Sequence, residues 1–143
     1  MKKIIAFFFI FLFLITGCNL VGQGDTSPRY IGKNSVSDQT MADEAKQIVL
    51  SMEEVIAVTG ATYKEDIYVA VRVKQFDRFF LDRIRKEAQN KIKKRFPDSK
   101  VHVSTDKKVY LELEKLEQQL LNNKVKKADI EKQWTRIEDF MKG

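Results

Sequence analysis

Ile67-Tyr68-Val69-Ala70-Val71-Arg72-Val73-Lys74 alternates with a period of two. Ile67, Val69, Val71 and Val73 fall on one side, and Tyr68, Ala70, Arg72 and Lys74 on the other. Successive side chains of a strand point to opposite faces, so this stretch predicts a strand with its aliphatic face on a core. Upstream, Val55-Ile56-Ala57-Val58-Thr59 is β-branched and too short for a helix. It predicts a second strand, joined to the first as a hairpin through Gly60-Ala61-Thr62-Tyr63-Lys64-Glu65-Asp66. Downstream, Val101-His102-Val103-Ser104-Thr105 predicts a third strand, with Val101 and Val103 facing one way.

Helical spacing fills the intervals. Ser37 or Asp38 can cap a first helix in which Ala45, Ile48, Val49 and Met52 recur at i, i+3, i+4 and i+7. Asp43, Glu44, Lys46 and Gln47 are then expected on its solvent face. A second helix is expected from Asp77 to Phe96, with Phe80, Ile84, Ala88 and Ile92 as its apolar stripe, extended by Leu81 and Phe96; Pro97 stops it. A third runs from Asp106 to about Leu121 on Val109, Leu113, Leu116 and Leu120. A fourth runs from Ala128 to Met141 on Ile130, Trp134, Ile137 and Met141. The order α-β-β-α-β-α-α predicts an α+β domain over residues 37–143: a small three-stranded mixed sheet, helices on one of its faces, then two C-terminal helices.

The N-terminus has another character. Lys2-Lys3 precedes Ile4–Thr16, a run rich in Phe, Ile and Leu that has the length of a signal-peptide apolar region and is short for a spanning helix, which needs about 20 residues. It ends Leu14-Ile15-Thr16-Gly17-Cys18, which resembles the bacterial lipobox. That resemblance implies a leader over residues 1–17 and a lipid (diacylglycerol in thioether linkage, with fatty chains such as palmitate) on Cys18. Residues 18–36 carry Gly, Ser, Asn and Gln without apolar period and read as a flexible tether, with Tyr30 and Ile31 as candidates to dock onto the domain.

The chain has 143 residues, 26 Lys and Arg against 20 Asp and Glu, and a net charge of +6. Removing the leader takes Lys2 and Lys3, leaving 24 against 20 and a surplus of four. Acids and bases read as interleaved, which argues against nucleic acid as a partner. One cysteine forms no internal disulfide, and one histidine without a cysteine pair makes a poor zinc site.

No constellation predicts catalysis. His102 points either to solvent or to the second face of the sheet and lacks a nucleophile to serve. No glycine-rich phosphate loop follows the tether. The acidic pairs Glu53-Glu54 and Glu65-Asp66 stand where solvated turn charges are ordinary. The basic run Lys91-Ile92-Lys93-Lys94-Arg95, with Arg83, Arg85 and Lys86 upstream, is the strongest feature. Arg83, Lys86, Lys93 and Lys94 are the candidates for contact with an anionic surface, and charge there also complements the helix dipole. Phe76, Phe79 and Phe80 cluster ahead of it. Phe80 is expected in the core, and one of the others as a partner contact. Trp134 is expected to anchor the last helix.

The leader, the tether, Ala42-Asp43-Glu44-Ala45, Val55-Ile56-Ala57-Val58, Tyr68-Val69-Ala70-Val71 and Val101-His102-Val103-Ser104-Thr105-Asp106 together resemble the YhcN/YlaJ family of sporulation lipoproteins from spore-forming Bacillus-type bacteria. That resemblance implies a protein of sporulation or germination, without enzymatic activity or cofactor, in which Cys18 alone transfers as a functional position. It implies attachment to the outer face of the cell membrane, in particular the inner spore membrane, with protein partners in the spore envelope. The α-β-β-α-β order also resembles BON-type and ring-building envelope modules, which bind phospholipid or oligomerise.

Overall fold

The computed structural model describes residues 27–33, 37–122 and 125–143. Helix α1 (Thr40–Leu50) leads into the hairpin β1 (Val55–Tyr63) and β2 (Asp66–Val73). A 3-10 helix (Gln75–Phe80) runs directly into α2 (Leu81–Arg95), followed by β3 (Val101–Ser104), α3 (Lys107–Leu121) and α4 (Lys127–Lys142). The sheet order is β1-β2-β3, antiparallel between β1 and β2 and parallel between β2 and β3. The α+β class and the mixed three-stranded sheet followed by two helices are as the sequence predicts.

β1 is longer than its β-branched run. Gly60, Ala61 and Thr62 continue the ladder opposite Val69, Tyr68 and Ile67, leaving only Lys64-Glu65 as the turn. Both adopt positive φ, 49° and 69°, as a tight two-residue hairpin connection requires. Gly60 is indispensable to the pairing, because a Cβ there would lie 2.7 Å from the Tyr68 carbonyl oxygen. At the other end the register shifts between Val55 and Ala57, and Ile56 is turned outward.

Helices cover both faces of the sheet. α1 and α2 pack on the aliphatic face, where Ala45, Val49, Ile84, Ala88 and Ile92 meet Ile67, Val69, Val71 and Val73. This is the single-faced core that the alternation in β2 predicts. The two C-terminal helices then close the opposite face: Val109, Leu113, Leu116, Ile130, Trp134 and Ile137 pack on Ala57, Ala61, Tyr68 and Ala70. Small residues on that side of the strands let α3 approach closely. Trp134 is buried, stacked on Tyr63 at 4.7 Å and tilted against Tyr68 at 4.9 Å, so it anchors α4 as expected.

The outer edge of β1 is closed by side chains. Gln39 behaves as a one-residue strand: its Oε1 accepts the Thr62 N–H at 2.7 Å and its Nε2 donates to the Thr62 carbonyl at 3.0 Å. Glu117 of α3 accepts the Gly60 N–H at 2.9 Å. Such pairing satisfies the backbone groups that make an open strand edge a liability.

Glu117 belongs to a buried charge cluster that contradicts the expected solvent face of α1. Lys46, at 0% exposure, donates to Glu117 at 2.9 Å, and its Nζ lies 2.9 Å from Asp43. Lys46 also donates to the Arg29 carbonyl, and Asp43 accepts the N–H groups of Ile31 and Gly32 at 2.9 and 2.6 Å. Periodicity alone puts Lys46 and Asp43 outside. The docked segment at 29–33 roofs them over, with Ile31 against the α3–α4 core and Lys33 bridged to Asp38. The domain thus starts at about residue 29, inside the stretch read as tether. Burial pushes the Glu117 carboxyl above its ordinary range, against the pull of Lys46 and the Gly60 N–H.

Candidate functional site

Ile84, Ala88 and Ile92 bury one stripe of α2, and that stripe dictates what remains outside. Arg83, Lys86, Asn90, Lys91 and Lys94 line one shallow exposed surface of the helix, together with Glu87. Three of the four expected contact residues, Arg83, Lys86 and Lys94, therefore share a face. Lys93 does not join them: its ammonium is turned to the Ser99 carbonyl at 2.7 Å, where it holds the end of the helix to the following turn.

The charges on this face differ in availability. Arg83 is engaged by Glu54 at 2.9 Å and Glu87 at 3.5 Å, and Arg95 by Glu44 at 2.9 Å. Glu54's own backbone N–H and the Arg83 guanidinium hold the Glu54 carboxyl below the usual carboxylate range. Lys86 and Lys94 form no ion pair among the described residues, and neither do Lys74 and Arg78 just upstream. Interleaving of acids and bases is a property of the chain at large and fails here. Nine basic and three acidic residues stand between Lys74 and Arg95, a surplus of six that equals the net charge of the entire chain. A running charge count exposes this segment, including Lys74 and Arg78, which a search for basic clusters on the helix alone passes over.

Phe80 is corrected by the structure. The polypeptide leaves β2 in a 3-10 turn, so Phe80 loses the phase of the Ile84–Ile92 stripe and stands 53% exposed, with the Arg83 guanidinium 5.6 Å from its ring. Phe76 and Phe79 are 85% and 88% exposed. All three rings of this short turn thus face outward, where one was expected to.

His102 lies on the second face, stacked on Tyr68 at 4.5 Å with its Nε2 3.6 Å from Asp66. It borders a groove of about 410 Å³ along the outer edge of β3, lined among others by Arg85, Gln89, Ser104, Phe140 and Met141. The Ser104 hydroxyl accepts the Asp106 N–H, and the Tyr68 hydroxyl, raised in pKa by burial and the nearby Glu138 carboxylate, donates to Glu138 at 3.2 Å. The Ser104 and Tyr68 hydroxyls are thus each engaged by another group. No group of three or more His, Cys, Asp or Glu among the described residues could hold a metal ion. Cys18 lies outside the described residues.

Fold and surface together define a small α+β domain closed on both faces of its sheet, basic along one helix and aromatic at the tip that leads into it. The chain belongs to the sporulation lipoprotein YhcN/YlaJ family, whose family model matches residues 23–140. It is a sporulation-associated lipoprotein, and by that membership a membrane-associated one. The match takes in the docked segment at 29–33 and all but the last two residues of α4. Comparison with curated proteins and with solved structures finds no match.

Proposed function

We propose that this is a non-enzymatic lipoprotein held by a lipid on Cys18 at the outer face of the membrane, the inner spore membrane in particular, and that it acts in sporulation or germination through protein and surface contacts. The lipobox-like Leu14-Ile15-Thr16-Gly17-Cys18 supports the anchor. Two acyl chains, at about 0.8 kcal/mol per buried methylene, make such attachment durable. The observation that carries the contact reading is the surplus of positive charge on the exposed side of α2, with Lys86 and Lys94 free of ion pairs among the described residues. Each such charge near an anionic lipid surface contributes about 1 kcal/mol. Anionic lipid or envelope polymer is the chemistry that this face fits.

N-terminal mass spectrometry checks the anchor: a diacylated Cys18 is expected, and an intact Met1 or a free Cys18 thiol defeats it. Co-sedimentation of Cys18→Ala protein with phosphatidylglycerol vesicles checks the contact face. Binding is expected to fall with salt, and Lys86→Gln/Lys94→Gln is expected to weaken it about tenfold or more. Salt-independent binding, or none, counts against the anionic-surface reading. A pull-down from sporulating cells with lipidated protein against Cys18→Ala identifies protein partners that depend on the anchor.

A further inference from the structure

We infer that Phe76, Phe79 and Phe80 form a membrane-inserting tip, a second hold on the bilayer that carries the lipid anchor. The inference rests on the membrane attachment proposed above and adds where and how the domain touches lipid.

Three phenylalanines within five residues, two of them almost fully exposed, form a cluster unlike the buried Tyr68, Tyr110 and Trp134. The turn that carries them is tied down at its start. It is wedged between the end of β2 and the start of α2, the Lys74 N–H donates to the Glu54 carbonyl at 2.9 Å, and the Asp77 N–H donates to the Lys74 carbonyl at 3.1 Å. All three rings are exposed. Large apolar side chains clustered and exposed together mark a surface that something covers.

Charge selects the occupant. Lys74 and Arg78 interleave with the phenylalanines, Arg83 and Lys86 follow one to two turns later, and Lys94 continues the same face. Asp77 and Asp82 also lie here, but Asp82 is paired with Arg85 at 3.0 Å. Apolar rings ringed by cations fit the boundary between acyl chains and anionic headgroups, where rings enter the hydrocarbon and cations stay with phosphate.

Chain length permits both holds at once. The docked Arg29 sits near the Gly60–Thr62 end of β1, and the tip adjoins its Val55 end. Seven strand residues separate those ends by about 23 Å. Cys18 precedes Arg29 by eleven residues, which extend to at most about 40 Å. A lipid on Cys18 therefore reaches the plane touched by the tip.

The test uses lipidated full-length protein carrying Phe79→Trp, reconstituted into phosphatidylglycerol vesicles with or without brominated acyl chains, the wild-type signal of buried Trp134 being subtracted. Insertion predicts that brominated chains quench the F79W emission about twofold or more and that aqueous iodide does not, since interfacial segments sit about 5–10 Å into the boundary. Quenching by iodide alone, or by neither agent, overturns the tip. The charge reading is scored apart, by salt-dependent sedimentation of the Cys18→Ala form. Acyl-chain quenching without salt dependence sinks the basic face and keeps the tip; salt dependence without acyl-chain quenching does the reverse.

Discussion

Lys46 is the residue that hydropathy misplaces most. On a helical wheel it belongs with Glu44 and Gln47, yet it is sealed between Asp43, Glu117 and the Arg29 carbonyl. Its partners come from α3, 71 residues away, and from the docked segment, which no local pattern reveals. Removing one partner from a buried pair costs about 3–5 kcal/mol, whereas replacing both with apolar groups is often nearly neutral. Lys46→Met and Glu117→Leu should each destabilise on that scale, and the double variant by clearly less than their sum. Urea unfolding of the four proteins checks this, and additive losses would show that the pair is uncoupled. Glu65 makes a simpler case. Its φ of 69° is a left-handed conformation that costs non-glycine residues about 1 kcal/mol or more, so Glu65→Gly should raise stability by about that amount in the same assay.

The strands and the amphipathic helices were legible as elements because aliphatic residues recur at every second position in Ile67–Val73 and apolar ones at every fourth in Ile84–Ile92, although folding buries Tyr68 and Ala70 on the other face of β2 as well. Their limits were less so. β1 runs on through Gly60–Tyr63 because Gln39 and Glu117 satisfy its outer edge. The start of the second helix is a 3-10 turn, and that small change in rotation per residue ejects Phe80 from the core. α4 depends most on a single side chain. Trp134→Ala removes the ring stacked on Tyr63 and tilted against Tyr68 and should cost about 3–5 kcal/mol, measured by thermal or urea unfolding. A cost below about 1 kcal/mol would mean that α4 is held elsewhere.

At the scale of the molecule, the domain closes at both faces and is roofed by its own N-terminal segment. A chain starting at residue 37 loses the two N–H groups that bind Asp43 and the carbonyl that receives Lys46. At about 1 kcal/mol for each of these three hydrogen bonds and about 4 °C per kcal/mol, it should melt roughly 12 °C below a chain starting at residue 27. Equal melting temperatures would show that residues 29–33 lie on the domain without stabilising it.

The α+β class, the β1–β2 hairpin, the basic second helix and the family are legible in the sequence alone, because each is a local pattern or a run of residues read in order. Tertiary structure decided the rest. It put the C-terminal helices on the second face, buried Lys46 with Asp43 and Glu117, turned Lys93 aside and left three phenylalanines outside. Each of those outcomes depends on what a distant segment covers, and coverage, unlike periodicity, is set only when the chain has folded.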